Sequence, residues 1–241
     1  MPMTKSRSIT SPPASGGGIE LELCFMDEEP VTTLSESLQH YGIEIPVEQV
    51  QHLDRYCQLL WEWNTRLNLT RHTDYDKFVG RDLADVMALS SLLESGEKVL
   101  DFGTGGGVPG VPLAILRPDV QVSLAESVAK KAKAVDTIVS ELGLPVPVYH
   151  ARAEDVLDDF RFTTLVARAV GSMAKVLRWC APHWASIGRL LLVKGPRWVE
   201  ERSEARRLGL LHNLELRRAA SYPLPNTDSE SVILEVKPKP G

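Results

Sequence analysis

From Val47 onward, apolar residues recur at three- and four-residue spacing: Val50, Leu53, Cys57, Leu60 and Leu67, with Tyr56, Trp61 and Trp63 beside them. That period predicts an amphipathic helix. A second helix is expected from about Asp74 to Leu93, its buried side marked by Phe78, Val86, Leu89 and Leu93, with Gly80 as a tolerated weak point. Beyond Gly96 the period changes to short β-rich runs: KVLDF, VQVSLAE, VPVYH, FTTLVARA, GRLLLV, LELRRAA and SVILEV. Stretches long enough for crossover helices separate the first five, the pattern of βαβ units in a parallel sheet. The last two lie close together, so Gly209 to Pro238 is expected to add an antiparallel pair at one edge. The first 30 residues, which include SITSPPASGGG and ELELCFMDEEP, keep neither period and read as a flexible leader. The expected organisation is a leader over 1–30, a small helical cap over 31–95 and a doubly wound, Rossmann-like α/β domain over 96–241.

Composition narrows the class. The chain has 241 residues, 43% hydrophobic and 24% charged, an ordinary globular mixture that excludes collagen-like, coiled-coil and wholly disordered readings. Its three cysteines, Cys24, Cys57 and Cys180, form no CxxC pair and are too few for a disulfide framework or a four-cysteine zinc site. No apolar run approaches the roughly 18 residues that cross a bilayer, and Met1 to Gly18 lacks the apolar centre of a signal peptide. A soluble, monomeric, cytoplasmic protein is expected. The net charge of -5 argues against a nucleic-acid partner only until it is located. Residues 1–60 hold 3 Lys/Arg against 9 Asp/Glu, which leaves 24 against 23 in the remainder, free to carry a local basic face.

The sharpest signal is Val99-Leu100-Asp101-Phe102-Gly103-Thr104-Gly105-Gly106-Gly107-Val108-Pro109-Gly110, where a predicted strand ends in glycines and a helix opens with Pro112 in its first turn. Glycines let backbone approach a ligand closely, and proline early in a helix removes only an N–H that has no partner there. Residues 105–110 satisfy GxGxxG, and Glu126 closes the next strand, where an acidic side chain holds ribose hydroxyls. By pattern alone this is a dinucleotide site. Asp101 argues for another ligand, because a carboxylate at the strand end repels a pyrophosphate but attracts the ammonium and sulfonium of S-adenosylmethionine.

LDFGTGGGVPGVPLAILRPDVQVSLAESVAKKAKAV, preceded by LLWEWNTRLNLT and followed by ARAED, VARAVGSM and LLVKG, resembles the bacterial GidB/RsmG family over about Val47 to Val236. The resemblance implies a class I S-adenosylmethionine-dependent methyltransferase acting on N7 of a guanine in 16S ribosomal RNA, as naked RNA or within an assembling small subunit. It implies cofactor contacts at Gly103, Gly105 and Val108, with Asp101 close by, Glu126 on the ribose and Ala153 and Glu154 flanking the adenine. Arg168 is implied in the cofactor and catalytic pocket, and Lys194 at its mouth with a catalytic role. Family members carry RHxxDS in the second helix, where this chain reads Arg81-Asp82-Leu83-Ala84-Asp85-Val86. Aspartate in place of the histidine adds a negative charge, so an RNA role in that segment is expected of Arg81 alone.

Guanine N7 carries an in-plane lone pair and needs no proton removed before it attacks a methyl group. Positioning is then most of the catalysis. The Asn/Asp-Pro-Pro-aromatic segment typical of amino-group methylation has no counterpart in Val166-Ala167-Arg168-Ala169-Val170. Cys180 sits in a predicted amphipathic helix as a buried thiol, a poor nucleophile for pyrimidine C5 chemistry. The six histidines show no paired spacing, and no metal is assigned. Lys130, Lys131, Lys194 and Arg81 are candidates for RNA phosphates, and Arg197 with Trp198 for an unpaired strand. Two rivals share the pattern: an NAD-dependent oxidoreductase using the glycine turn, and a non-catalytic RNA-binding protein on the same fold.

Overall fold

A computed structural model describes residues 33–225 and 229–240; the leader expected over 1–30 lies outside them. Helix α1 (Leu34–His40) starts at a capping box, in which Thr33 accepts from the Glu36 N–H while the Glu36 carboxylate accepts from the Thr33 N–H. Helix α2 (Val47–Asn64) buries Leu53, Tyr56, Cys57 and Leu60 along one side. Leu67, expected on that stripe, falls beyond the helix, because Asn64 Oδ1 turns the chain by accepting from the N–H groups of Leu69 (2.8 Å) and Thr70 (3.0 Å).

The second expected helix is interrupted. Asp74 caps one turn, α3 (Tyr75–Lys77); the backbone then widens into a π-helical turn over Phe78–Leu83 and resumes as α4 (Ala84–Ser90). Leu93 is buried but lies past its end. Gly80 is more than a weak point: a Cβ there would lie 2.7 Å from Tyr41 Oη, so the missing side chain lets the end of α1 approach. Such turns recur at functional sites, and this one carries the buried carboxylate Asp82, with a second, Asp85, in the first turn of α4.

Seven strands follow: β1 (Lys98–Phe102), β2 (Gln121–Ala125), β3 (Val148–Tyr149), β4 (Phe162–Arg168), β5 (Ile187–Lys194), β6 (Leu214–Pro223) and β7 (Glu230–Pro238). They form one sheet in the order β3-β2-β1-β4-β5-β7-β6. The first five pair in parallel, and β7 runs antiparallel to both β5 and β6. The crossovers are α5 (Gly110–Leu116), α6 (Ala129–Glu141), α7 (Ala153–Asp159) and α8 (Met173–Cys180), with α9 (Trp198–Arg207) after β5.

Period-two alternation feeds two cores. Val99, Leu124, Leu191 and Val193 face the cluster shared with α2, α4 and α6, while Leu100, Leu190 and Leu192 face the one shared with α7 and α8. The strand order reverses between β1 and β4, and the crevice outside the carboxyl ends of strands at such a switch is where open α/β sheets hold ligands.

Candidate active site

Strand β1 ends beside that crevice, and alternation decides where its acid goes. Asp101 shares its side of the sheet with Val99, beneath α5, and is buried. Its Oδ2 accepts from the Thr104 hydroxyl (2.6 Å) and the Gly110 N–H (2.9 Å). The expectation that Asp101 faces the cofactor is therefore corrected: its carboxylate ties the two ends of the glycine turn together from inside. Burial pushes its pKa from the ordinary 3.8 to about 6, against the opposing pull of those two donors.

A carboxyl whose native pKa lies above its unfolded value contributes stability that is fully present below about pH 4 and is lost as pH rises through about 6. Asp101→Asn cannot ionise. The unfolding free energy of the variant relative to wild type should rise by about 3 kcal/mol between pH 4 and 7. Urea titrations across that range measure it, and a difference that stays flat with pH would refute the assignment.

On the opposite side of the turn, Glu126 stands one residue past β2. Its Oε2 accepts from the Gly105 N–H (3.0 Å) and its Oε1 from the Val128 N–H (2.8 Å), so the acid and the glycine turn fix each other. Each oxygen retains acceptor capacity for a ligand hydroxyl. Glu126 and Gly103 border a cavity of about 440 Å³ completed by Phe102, Ala153, Glu154, Val170, Lys175 and Trp179. The Phe102 and Trp179 rings lie 5.5 Å apart, and Lys175 Nζ sits 4.8 Å from the Trp179 ring centre.

A second cavity, about 520 Å³, opens across the turn and shares Gly103 and Glu126 with the first. Its walls include Gly105, Val108, Lys131 and Arg168, with Leu60 and Leu69 from the helical side. Gly105 has φ +61, and a Cβ there would meet nothing within 4 Å, so this glycine leaves a cradle open that any other residue would begin to fill. A carboxylate acceptor, a cavity bordered by the Phe102 and Trp179 rings and an open glycine cradle fit an adenosine-bearing sulfonium such as S-adenosylmethionine.

Arg168 ends β4 between this cavity and a neighbouring one of about 490 Å³. Its Nη2 donates to Asp82 Oδ1 (2.5 Å) and its Nε pairs with Asp85 Oδ2 (2.7 Å). Tyr222 Oη donates to Asp85 Oδ1 (2.6 Å), and His72 Nδ1 lies 2.8 Å from Asp82 Oδ1. Burial alone lowers the guanidinium, but the two carboxylates outweigh it and hold its pKa above the ordinary value. Burial raises Asp85 even with Arg168 opposing. The next residue, Ala169, takes a left-handed φ of +56 on the cavity wall. Asp82 is thus no exposed surface charge, as its place in the RHxxDS segment suggested, but half of a clamp on Arg168.

Other expected residues separate. Lys131 reaches the second cavity, while Lys130 is exposed on the first turn of α6. Arg81 lines the third cavity with Lys77, and Arg197 is exposed before α9. Lys194 departs from its expected role at the pocket mouth. Its Nζ donates to Gly171 O (2.6 Å) and pairs with Glu201 (2.8 Å), whose Oε2 also accepts from the Met173 N–H (2.6 Å). It braces the loop after β4. Sequence reasoning missed Asp82, Asp85, His72 and Tyr222 as site residues; the one signal it held was the departure of Asp82 from the RHxxDS segment of the family it resembles.

Comparison with known proteins decides the family. The GidB model, rRNA small subunit methyltransferase G, matches residues 49–223. This chain belongs to that family. Ribosomal RNA small subunit methyltransferase G of Rhodopirellula baltica is 56% identical over 194 residues, covering 80% of this chain and 84% of that protein. The fold agrees. MtNAS in complex with MTA and tNA has a TM-score of 0.51 at 17% identity, covering 86% of this chain and 76% of that one. M. capricolum TrmK in complex with S-adenosyl-homocysteine has a TM-score of 0.50 at 12% identity, covering 64% and 68%. The GidB-family chain is a methyltransferase with the class I fold, and neither rival reading, oxidoreductase or non-catalytic binder, finds support. No helix among the described residues is long and apolar enough to cross a membrane.

Proposed function

We propose that this GidB-family chain transfers a methyl group from S-adenosylmethionine to N7 of a guanine in 16S ribosomal RNA, free or in an assembling small subunit, in the cytoplasm. The observation that carries the reading is the pair of cavities meeting at Gly103 and Glu126, one with an acidic ribose acceptor and the other with cations at its rim. In this reading Glu126 takes the ribose hydroxyls, Ala153, Glu154 and Phe102 hold the adenine, and the Gly103 and Gly105 backbone lies along the methionine portion. When bound, the cofactor supplies an electrophilic methyl group on a sulfonium.

The protein's part is to line up N7, the methyl carbon and sulfur. With the cofactor held there, its methyl group would pass to N7 with no proton removed, so these residues need to orient the base and supply no general base. Leu60, Leu69 and Val108 offer apolar walls for a base taken out of its stack. Lys131, Arg71, Arg81 and Lys77 border the same region and engage phosphates. Lys130 and Arg197 extend that contact at most weakly.

Mass spectrometry of 16S rRNA from a strain lacking the gene should show the loss of one 7-methylguanosine, restored by the wild-type gene. An unchanged modification pattern would overturn the reading. Calorimetry should show heat with S-adenosylmethionine and none with NAD.

A further inference from the structure

One polar atom in the site has no partner. Asp82 is 2% exposed, and while its Oδ1 accepts from both Arg168 and His72, its Oδ2 is buried with no hydrogen bond. The other clamp residue differs, because both oxygens of Asp85 are engaged, one by Tyr222 and one by Arg168. A desolvated carboxylate oxygen without a donor is costly, and such groups in native structures point to a missing partner. Asp82 is one of the residues that line the second cavity, which makes a donor bound there the candidate for the missing partner.

We propose that Asp82 is a specificity-determining residue whose Oδ2 accepts from the N1–H and 2-amino group of the target guanine. The inference rests on the guanine-N7 reading and names what selects the base. Guanine's Watson–Crick edge presents two adjacent donors, which a carboxylate accepts, whereas adenine presents a lone pair at N1, which a carboxylate repels. Gripping that edge leaves N7, on the far side of the purine, free to face the glycine turn. Methylation at N7 makes the purine cationic and its N1–H a stronger donor, so the contact tightens as the methyl group transfers. The competing donor is a ligand ammonium, such as the one S-adenosylmethionine would bring if its methionine end lay along Gly103 and Gly105.

The test uses 16S rRNA assembled by splinted ligation with guanosine or inosine at the position that the wild-type enzyme methylates; inosine keeps N7 and N1–H but lacks the 2-amino donor. Wild type is expected to favour guanosine by about tenfold in kcat/KM, the scale of one hydrogen bond to a charged group. In Asp82→Asn the preference should fall below about threefold, with the KM for S-adenosylmethionine unchanged. Asp85→Asn, which loosens the same arginine, should lower turnover but keep the wild-type ratio. An Asp82→Asn enzyme with an unchanged ratio, or with its defect confined to the cofactor KM, overturns the proposal. Should that variant fail to fold, a wild-type ratio near one overturns it alone. A wild type that methylates no guanine overturns the functional reading itself, a different failure from a methylating enzyme that ignores the 2-amino group.

Discussion

Arg168→Ala is expected to cost about 3–5 kcal/mol of folding stability and nearly all methyl transfer. The reason lies in what remains after the guanidinium is gone. Asp82 and Asp85 stay buried within reach of one another, with only His72 and Tyr222 as donors. Removing one member of a buried ionic set is far more damaging than replacing the set, because the uncompensated charge keeps its desolvation penalty. Activity falls as well, since the clamp fixes the end of β4 and the left-handed Ala169 on the cavity wall. Denaturant titration and a radiolabelled methyl-transfer assay measure both effects. By contrast, Lys130→Ala, on an exposed helical face, should change stability by less than about 0.5 kcal/mol and turnover only slightly.

A triple variant separates the two roles of the arginine. Arg168→Met with Asp82→Asn and Asp85→Asn leaves no buried charge in the clamp, and stability should recover to within about 1–2 kcal/mol of wild type. Turnover should not recover. Recovery of both would reduce the clamp to packing, and an Arg168→Ala loss under about 1 kcal/mol would show that the carboxylates find water.

The elements themselves were legible because their periods are local. Alternation in KVLDF and GRLLLV gives strands facing two cores, and the glycine turn with Glu126 marks the carboxyl ends of β1 and β2. The same alternation would have placed Asp101 under α5, had its parity with Val99 been weighed against its closeness to the glycines. The clamp was not legible. Arg168 and Asp82 are 86 residues apart, and Tyr222 lies 137 from Asp85, so their meeting depends on sheet order and on a π-helical turn that no side-chain period announces. Lys194 was placed at a pocket mouth by the resemblance of LLVKG alone, and its partner, Glu201, comes from the following helix, beyond that segment.

Gly110→Ala is the second substitution expected to act strongly, and its cause is space rather than backbone conformation. Gly110 opens α5 where the helix start meets two strands. An added Cβ would sit 2.2 Å from Leu124 Cδ2, 2.8 Å from Asp101 Oδ2 and 3.0 Å from Asp101 Cβ. Leu124 is fully buried, so it cannot swing clear, and relieving the clash means lifting α5 from the sheet. That movement breaks the hydrogen bond from the Gly110 N–H to a buried carboxylate. Overpacking of this kind costs about 1–3 kcal/mol, and losing a hydrogen bond to a charged group about 1.5–3 kcal/mol, so a loss of about 3–5 kcal/mol is expected. Because Asp101 ties both ends of the glycine turn, affinity for S-adenosylmethionine should fall by about tenfold or more as well. Gly143→Ala supplies the control: its φ is +64 and a Cβ there meets nothing within 4 Å, so it should cost only about 1–2 kcal/mol and leave binding intact. Trimming the obstacle supplies the decisive comparison. If the clash with Leu124 is the cause, Gly110→Ala combined with Leu124→Ala will lose less than the two single losses added together, whereas strict additivity would place the fault elsewhere.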